Sequence, residues 1–251
     1  MTKLIRKFDL LPGAVQRPIK RTLARIGTAL QLSPTGALLT EDIRRRLPRE
    51  RMRVIFDVGA NVGDVTMTFT INYPEARIFA FEPVEQNYRR LERAAARLEQ
   101  VTAFNIGLGE RCETVRFDCS GDASTAFRVA ADQSNEANPP VTMTTLDAFC
   151  EQNGIETIDY LKIDTEGHDL KVLAGARKML SEQRIGFAIA ECSLNPDNSL
   201  HVPFCDVLAF MSPLGYRVFG FYEQTEEFMT GKPNLRRANV AFISAQVIAR
   251  N

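Results

Sequence analysis

The sequence has 251 residues, 45% of them apolar and 25% charged, with 31 Lys+Arg balanced by 31 Asp+Glu. Those proportions exclude a disordered, collagenous or disulfide-stapled chain, and the length suits one large domain with appendages. No uncharged apolar run approaches the roughly 18 residues that cross a bilayer. The first residues carry charge but no apolar stretch before a cleavage site, so a cytoplasmic protein without a transmembrane segment is expected.

Charge is uneven along the chain. Residues 1–53 hold 13 Lys+Arg against 4 Asp+Glu, a balance of +9, which leaves −9 for the remainder. Val15, Ile19, Leu23, Ile26 and Leu30 recur at helical spacing over residues 14–31, and a short helix is expected around 41–47. Residues 1–50 are therefore read as a basic helical arm, open to peripheral contact with an anionic surface, and residues 51–251 as the main domain. The acidic main body argues against a nucleic-acid partner.

From residue 53 the pattern alternates. RVIFDVG, ARIFAFEP and VTAFNIGLG read as strands, separated by helices over VGDVTMTFTINYP and VEQNYRRLERAAARLEQ. A polar stretch, 109–140, interrupts with one extra strand, ETVRFDC, as an insertion over the active face. Alternation resumes with TLDAFCEQNG as a helix, IDYLKID as a strand, DLKVLAGARKML as one helix and IGFAIAEC as a strand. A helix near 202–212 then leads to YRVFGFY and ANVAFIS. The strands are apolar on both faces, as a helix-covered parallel sheet requires. The last two have no long helix between them, so the final strand is expected to be antiparallel. The five cysteines show no C-x-x-C pair and fit neither a zinc site nor a disulfide framework, so reduced, mostly buried thiols are expected.

In such a sheet ligands bind beyond the carboxyl ends of the strands, where strand order reverses. The first strand ends in Asp57-Val58-Gly59-Ala60-Asn61-Val62-Gly63, where the glycines would let a ligand reach the backbone. The dinucleotide pattern G-x-G-x-x-G is not met, because Asn61 and Asp64 stand where glycine is needed. The second strand ends in Phe81-Glu82-Pro83, and Glu82 can accept from both hydroxyls of a ribose. Asn105, at the third strand end, could border an adenine. The fourth end is the densest polar cluster, Lys162 to Asp169. Continued alternation would put Asp164, Glu166 and His168 on one side, and Lys162 too if the strand reaches that far, and converging carboxylates in a pocket can remove a proton from a substrate. A hard divalent cation such as Mg²⁺ is chemically open to Asp164, Glu166 and a histidine, but no metal is assigned. Both histidines, His168 and His201, follow predicted strand ends, and Glu191 ends the fifth strand as a candidate for shaping an acceptor pocket.

Asp57 to Gly63, Phe81-Glu82-Pro83, Thr145-Leu146-Asp147-Ala148-Phe149 and Leu161 to Asp169 together resemble the FkbM family of S-adenosylmethionine-dependent methyltransferases, over roughly residues 53–190. The resemblance implies a class I methyltransferase, Rossmann-like α/β fold: a doubly wound, mostly parallel seven-stranded sheet with an antiparallel last strand. It also implies methyl transfer to an oxygen, commonly a hydroxyl on a sugar, glycan or secondary metabolite. Asp57, Gly59, Ala60, Asn61 and Gly63 would surround the methionine end of S-adenosylmethionine, Glu82 and Pro83 the ribose, and Asp164 would lie beside cofactor and substrate. Asp164, Glu166 and His168 are the candidates for the base. Ile106 departs from the family pattern, which more often has a small residue there. Two rival readings are a nicotinamide-dependent oxidoreductase, disfavoured by the missing glycines, and a catalytically silent nucleoside-binding scaffold.

Overall fold

The computed structural model describes residues 35–118, 128, 129, 133 and 139–251. The arm helix expected over 14–31 and Cys119 lie outside the described residues. The chain divides after Glu50 into two compact units. Of the first, the described part holds helix α1 (Leu39–Arg46), with Glu41 and Asp42 in its first turn and three arginines in its last, the arrangement that a helix dipole favours.

The second unit is built around a main sheet in the order β11 (Tyr216–Glu226), β12 (Leu235–Ser244), β9 (Ile185–Ser193), β8 (Ile158–Ile163), β1 (Val54–Val58), β2 (Arg77–Phe81) and β3 (Val101–Phe104). Its first half comprises β1 (Val54–Val58), α2 (Asp64–Asn72), β2 (Arg77–Phe81), α3 (Glu85–Ala95) and β3 (Val101–Phe104). Strands β1, β2 and β3 are parallel neighbours, and β1 also pairs in parallel with β8 (Ile158–Ile163), so strand order reverses between β1 and β8. β9 (Ile185–Ser193) is parallel to β8. β12 (Leu235–Ser244) runs antiparallel to both β9 and β11 (Tyr216–Glu226), as the missing crossover helix predicts. A short β10 (Val202–Pro203) adds to the exit of β9.

The continuous apolar strands are buried on both faces. Phe56, Phe79, Phe81, Phe104 and Phe149 form an aromatic cluster under one layer of helices, with edge-to-face ring pairs such as Phe81 and Phe149 at 4.8 Å between centroids. In α3 the buried positions Asn87, Leu91 and Ala95 recur every fourth residue, and its charged residues are exposed.

Four expectations change in the structure. The predicted third strand is two pieces, because the chain leaves the main sheet after Phe104. Its second piece, β4 (Gly107–Leu108), joins β7 (Pro140–Thr144), β5 (Glu113–Asp118) and β6 (Arg128–Val129) in a separate four-stranded sheet, so the insertion is more than one strand. Val115, Val141 and Met143 of this small sheet pack on Val84, just past the exit of β2. The predicted helix over 169–180 is two helices, α5 (Asp169–Ala174) and α6 (Arg177–Ser181). They part at Gly175, where a Cβ would collide with the Gly109 carbonyl. Of the described cysteines, Cys150 and Cys192 are buried but Cys112 and Cys205 are exposed. The remaining helices are α4 (Leu146–Gln152), α7 (Phe204–Met211) and α8 (Ala245–Arg250). No helix among the described residues is long and apolar enough to cross a membrane.

Candidate functional site

The site grows from the turn after β1. Asp164 donates its amide to the Val58 carbonyl, while Gly59 and Ala60 donate theirs to Phe81. The exits of β8, β1 and β2 are thereby laced together by backbone. Gly59 has φ 80°, and a Cβ there would run into the Asp164 carbonyl; at Gly63, φ 97°, it would press Leu91 Cδ1 at 3.0 Å. Gly59 is thus required by the close approach of two strand exits, and Gly63 by its left-handed backbone, whatever ligand access the two also give. Asn61, at φ 51°, takes the left-handed conformation that asparagine tolerates.

Glu82 is buried and holds both ends of this turn. One carboxylate oxygen accepts from the Asn61 amide at 2.8 Å and the other from the Val84 amide at 2.9 Å. Burial raises its carboxyl to about 7 despite these two donors, with Asp57 adding to the rise. Pro83 lies ahead of α3, with Val84 at the cap position. Asn105 donates its amide to the carbonyls of Glu82 and Pro83 at 3.0 and 3.1 Å, so it braces the β2 exit.

Parallel register sets Asp57 of β1 beside Lys162 of β8. Asp57 accepts from the Thr66 hydroxyl at 2.6 Å through one oxygen, and its other oxygen is buried without a partner. Lys162 donates to Asp164 at 2.8 Å. Burial pulls the Lys162 ammonium down, but the carboxylates of Asp164 and Asp57 outweigh that and hold it above its ordinary value. Burial likewise pushes the Asp57 carboxyl up against the pull of Lys162. Lys162 and Asp164 do share one side, as alternation requires.

Alternation fails beyond Asp164. Glu166 has φ 52° and Gly167 φ 98°, so the chain turns where an extended segment was expected, and Asp164, Glu166 and His168 do not line one face. His168 stands half-buried at the start of α5. Asp169 is fully buried and accepts from the amide and hydroxyl of Thr165 and from the Glu191 amide at 2.9 Å. One side chain therefore fixes the exits of both β8 and β9. Burial lifts its carboxyl to about 6 against the hydrogen bonds from Thr165.

The turn carries Glu166 to partners from other elements. A Cβ on Gly167 would strike the Leu200 carbonyl, so the turn lies against the loop that bears His201. His201 Nε2 is 2.9 Å from Glu191 and 3.8 Å from Glu166. Burial holds the imidazole below its ordinary pKa even with Glu166 and Asp169 nearby. Glu191 also pairs with Arg237. The expected trio of Asp164, Glu166 and a histidine is thus divided: Asp164 goes to Lys162, and Glu166 joins Glu191 and His201.

Residues 57–218 match the methyltransferase FkbM domain. The chain belongs to the FkbM family. Among relatives of this FkbM domain, 2-O-methyltransferase NoeI of Sinorhizobium fredii is 28% identical over 146 residues, covering 52% of this chain and 60% of its own. Hexuronic acid methyltransferase AglP of Haloferax volcanii is 28% identical over 160 residues, covering 62% and 64%. The chain spans less than two thirds of the length of either relative. Among solved structures, Aeropyrum pernix fibrillarin bound to S-adenosyl-L-methionine overlaps with a TM-score of 0.45 at 12% identity, covering 78% of this chain and 69% of its own.

In the FkbM domain not every motif residue faces the strand ends. Thr145 caps α4 by accepting from the Ala148 amide at 3.1 Å, and Asp147 accepts from the Lys178 and Met179 amides at the start of α6. The Thr145–Phe149 motif is scaffold. Sequence reasoning noted His201 and Glu191 separately but missed their meeting with Glu166; the pairing of β10 with β9, which draws the loop back, is spelled by only two residues.

Proposed function

We propose that this FkbM domain is an S-adenosylmethionine-dependent methyltransferase acting on a hydroxyl oxygen of a small-molecule or glycan acceptor. One observation carries the reading: Glu82, a buried carboxylate, is fixed at the exit of β2 against the amide of Asn61, where a ribose lying over the β1 turn meets an acceptor already in place. When bound, the cofactor supplies a methyl carbon made electrophilic by its sulfonium. Asp57, Gly59, Ala60, Asn61 and Gly63 would border its methionine end, and the unpartnered buried oxygen of Asp57 suits an ammonium donor there. Glu82 and Pro83 would hold the ribose. Asn105 has its amide hydrogens engaged, which leaves its oxygen to border an adenine.

The chain's own part is alignment and proton removal. The candidates for the base are Asp164, Glu166 and His168, and one oxygen of Asp164 is already engaged by the Lys162 ammonium. The names of the two relatives, a 2-O-methyltransferase and a hexuronic acid methyltransferase, favour a sugar hydroxyl as acceptor. The −9 balance beyond residue 53 disfavours nucleic acid. The dinucleotide alternative is set aside, since Asn61 and Asp64 replace two glycines of its turn.

Calorimetric titration with S-adenosylmethionine tests the reading. Saturable binding is expected, with Glu82→Ala weakening it by about tenfold or more as two ribose hydroxyls lose their acceptor. Labelled methyl transfer to a hexuronate-bearing glycan would then support the acceptor class, whereas binding of a nicotinamide dinucleotide alone would overturn the assignment.

A further inference from the structure

We propose that Glu166, Glu191 and His201 form a binding site for one first-row divalent cation. Their three donor atoms lie within 4.8 Å of one another. Oxygen and nitrogen ligands held at about 2.1 Å around one ion stand roughly 3 to 4 Å apart, so closing this trio on an ion needs movement of about an ångström at most. The 2.9 Å and 3.8 Å separations from His201 Nε2 are already in that range.

A second observation points to a missing partner. His201 is 7% exposed and Glu191 4%, yet His201 Nε2 and Glu191 Oε2, though adjacent, are both buried without a hydrogen bond. Buried polar atoms are rarely left so. The atoms behind them are anchored. Asn198 meets the other ring nitrogen, Nδ1, with its amide nitrogen at 3.0 Å and its oxygen at 3.3 Å; Nδ1–H donating to that oxygen leaves the Nε2 lone pair facing the carboxylates, and Arg237 holds the opposite oxygen of Glu191. Such outer partners are what orient metal ligands. Gly167 lets Glu166 close the third side, and Glu166 is exposed, which leaves an entry path. An imidazole beside two carboxylates suits Mn²⁺, Fe²⁺ or Zn²⁺ better than Ca²⁺, which prefers oxygen alone. With three protein ligands, the remaining coordination positions are open. On the methyltransferase reading proposed above, and resting on it, those positions take the acceptor hydroxyl and lower its proton affinity; with Glu166 then a ligand, the proton goes to Asp164 or His168. Cation binding itself stands without that reading.

The test uses the full chain, stripped with chelator and titrated with MnCl₂ while the electron paramagnetic resonance of free Mn²⁺ is followed. One saturable site per chain is expected below about 1 mM, with Glu166→Gln and His201→Gln each weakening it by about tenfold or more. Circular dichroism checks folding; should His201→Gln unfold, Glu166→Gln decides alone, because its side chain is exposed. The proposal is overturned if the parent chain binds no Mn²⁺ in that range, or if Glu166→Gln loses less than about tenfold. S-adenosylmethionine titration of the same samples fails or succeeds independently, so loss of the methyltransferase reading and loss of the cation site are separate results.

Discussion

Glu82 links the proton balance of the site to its ligand. Burial raises its carboxyl from 4.5 to about 7. Ribose hydroxyls donate to the ionised form, so cofactor binding should release a proton near neutrality and tighten as pH rises from about 6 to about 8. Calorimetry in buffers of different ionisation heat measures that proton directly; no release at about pH 6.5 would reject the ribose role. Stability moves the other way. Between 4.5 and about 7 the folded, ligand-free protein keeps a proton that the unfolded chain has lost, so stability from this group falls as pH climbs through that window. Glu82→Gln should flatten that limb in urea melts. Glu82 was legible as a candidate from its place after a predicted strand. Its bond to Asn61, and the company kept by Glu166, were not, because both depend on left-handed residues that bring distant loops together.

Elements were more legible than their joints. Apolar runs located the strands of the main sheet, and the missing crossover helix correctly predicted the antiparallel β12. The turn at Glu166-Gly167 and the break at Gly175 escaped, since nothing in the spacing announces which backbone will press against a glycine. Two predictions belong to these joints. Gly59→Ala combines positive φ with a collision against the Asp164 backbone and should cost about 3 kcal/mol or more in chemical denaturation. Asp169→Ala strips the acceptor from Thr165 and Glu191 and should cost about 3 kcal/mol. Unchanged denaturation midpoints would refute either account.

At the level of the molecule, the first unit is expected to be dispensable for cofactor binding. Removing residues 1–40 should leave the S-adenosylmethionine dissociation constant within about twofold, as calorimetry can check, while sedimentation with anionic vesicles reports whether the basic arm binds such surfaces. A collapse of cofactor binding would make the arm part of the core. The contact between Gly59 and the Asp164 carbonyl has a wider reach. Because the first-turn glycine is demanded by how two strand exits meet, a descendant that had lost its chemistry would still have to keep it in order to fold. A surviving signature in this turn therefore testifies to architecture, and a search for working members of such proteins should weigh instead the residues whose loss the scaffold would tolerate, Glu166 foremost.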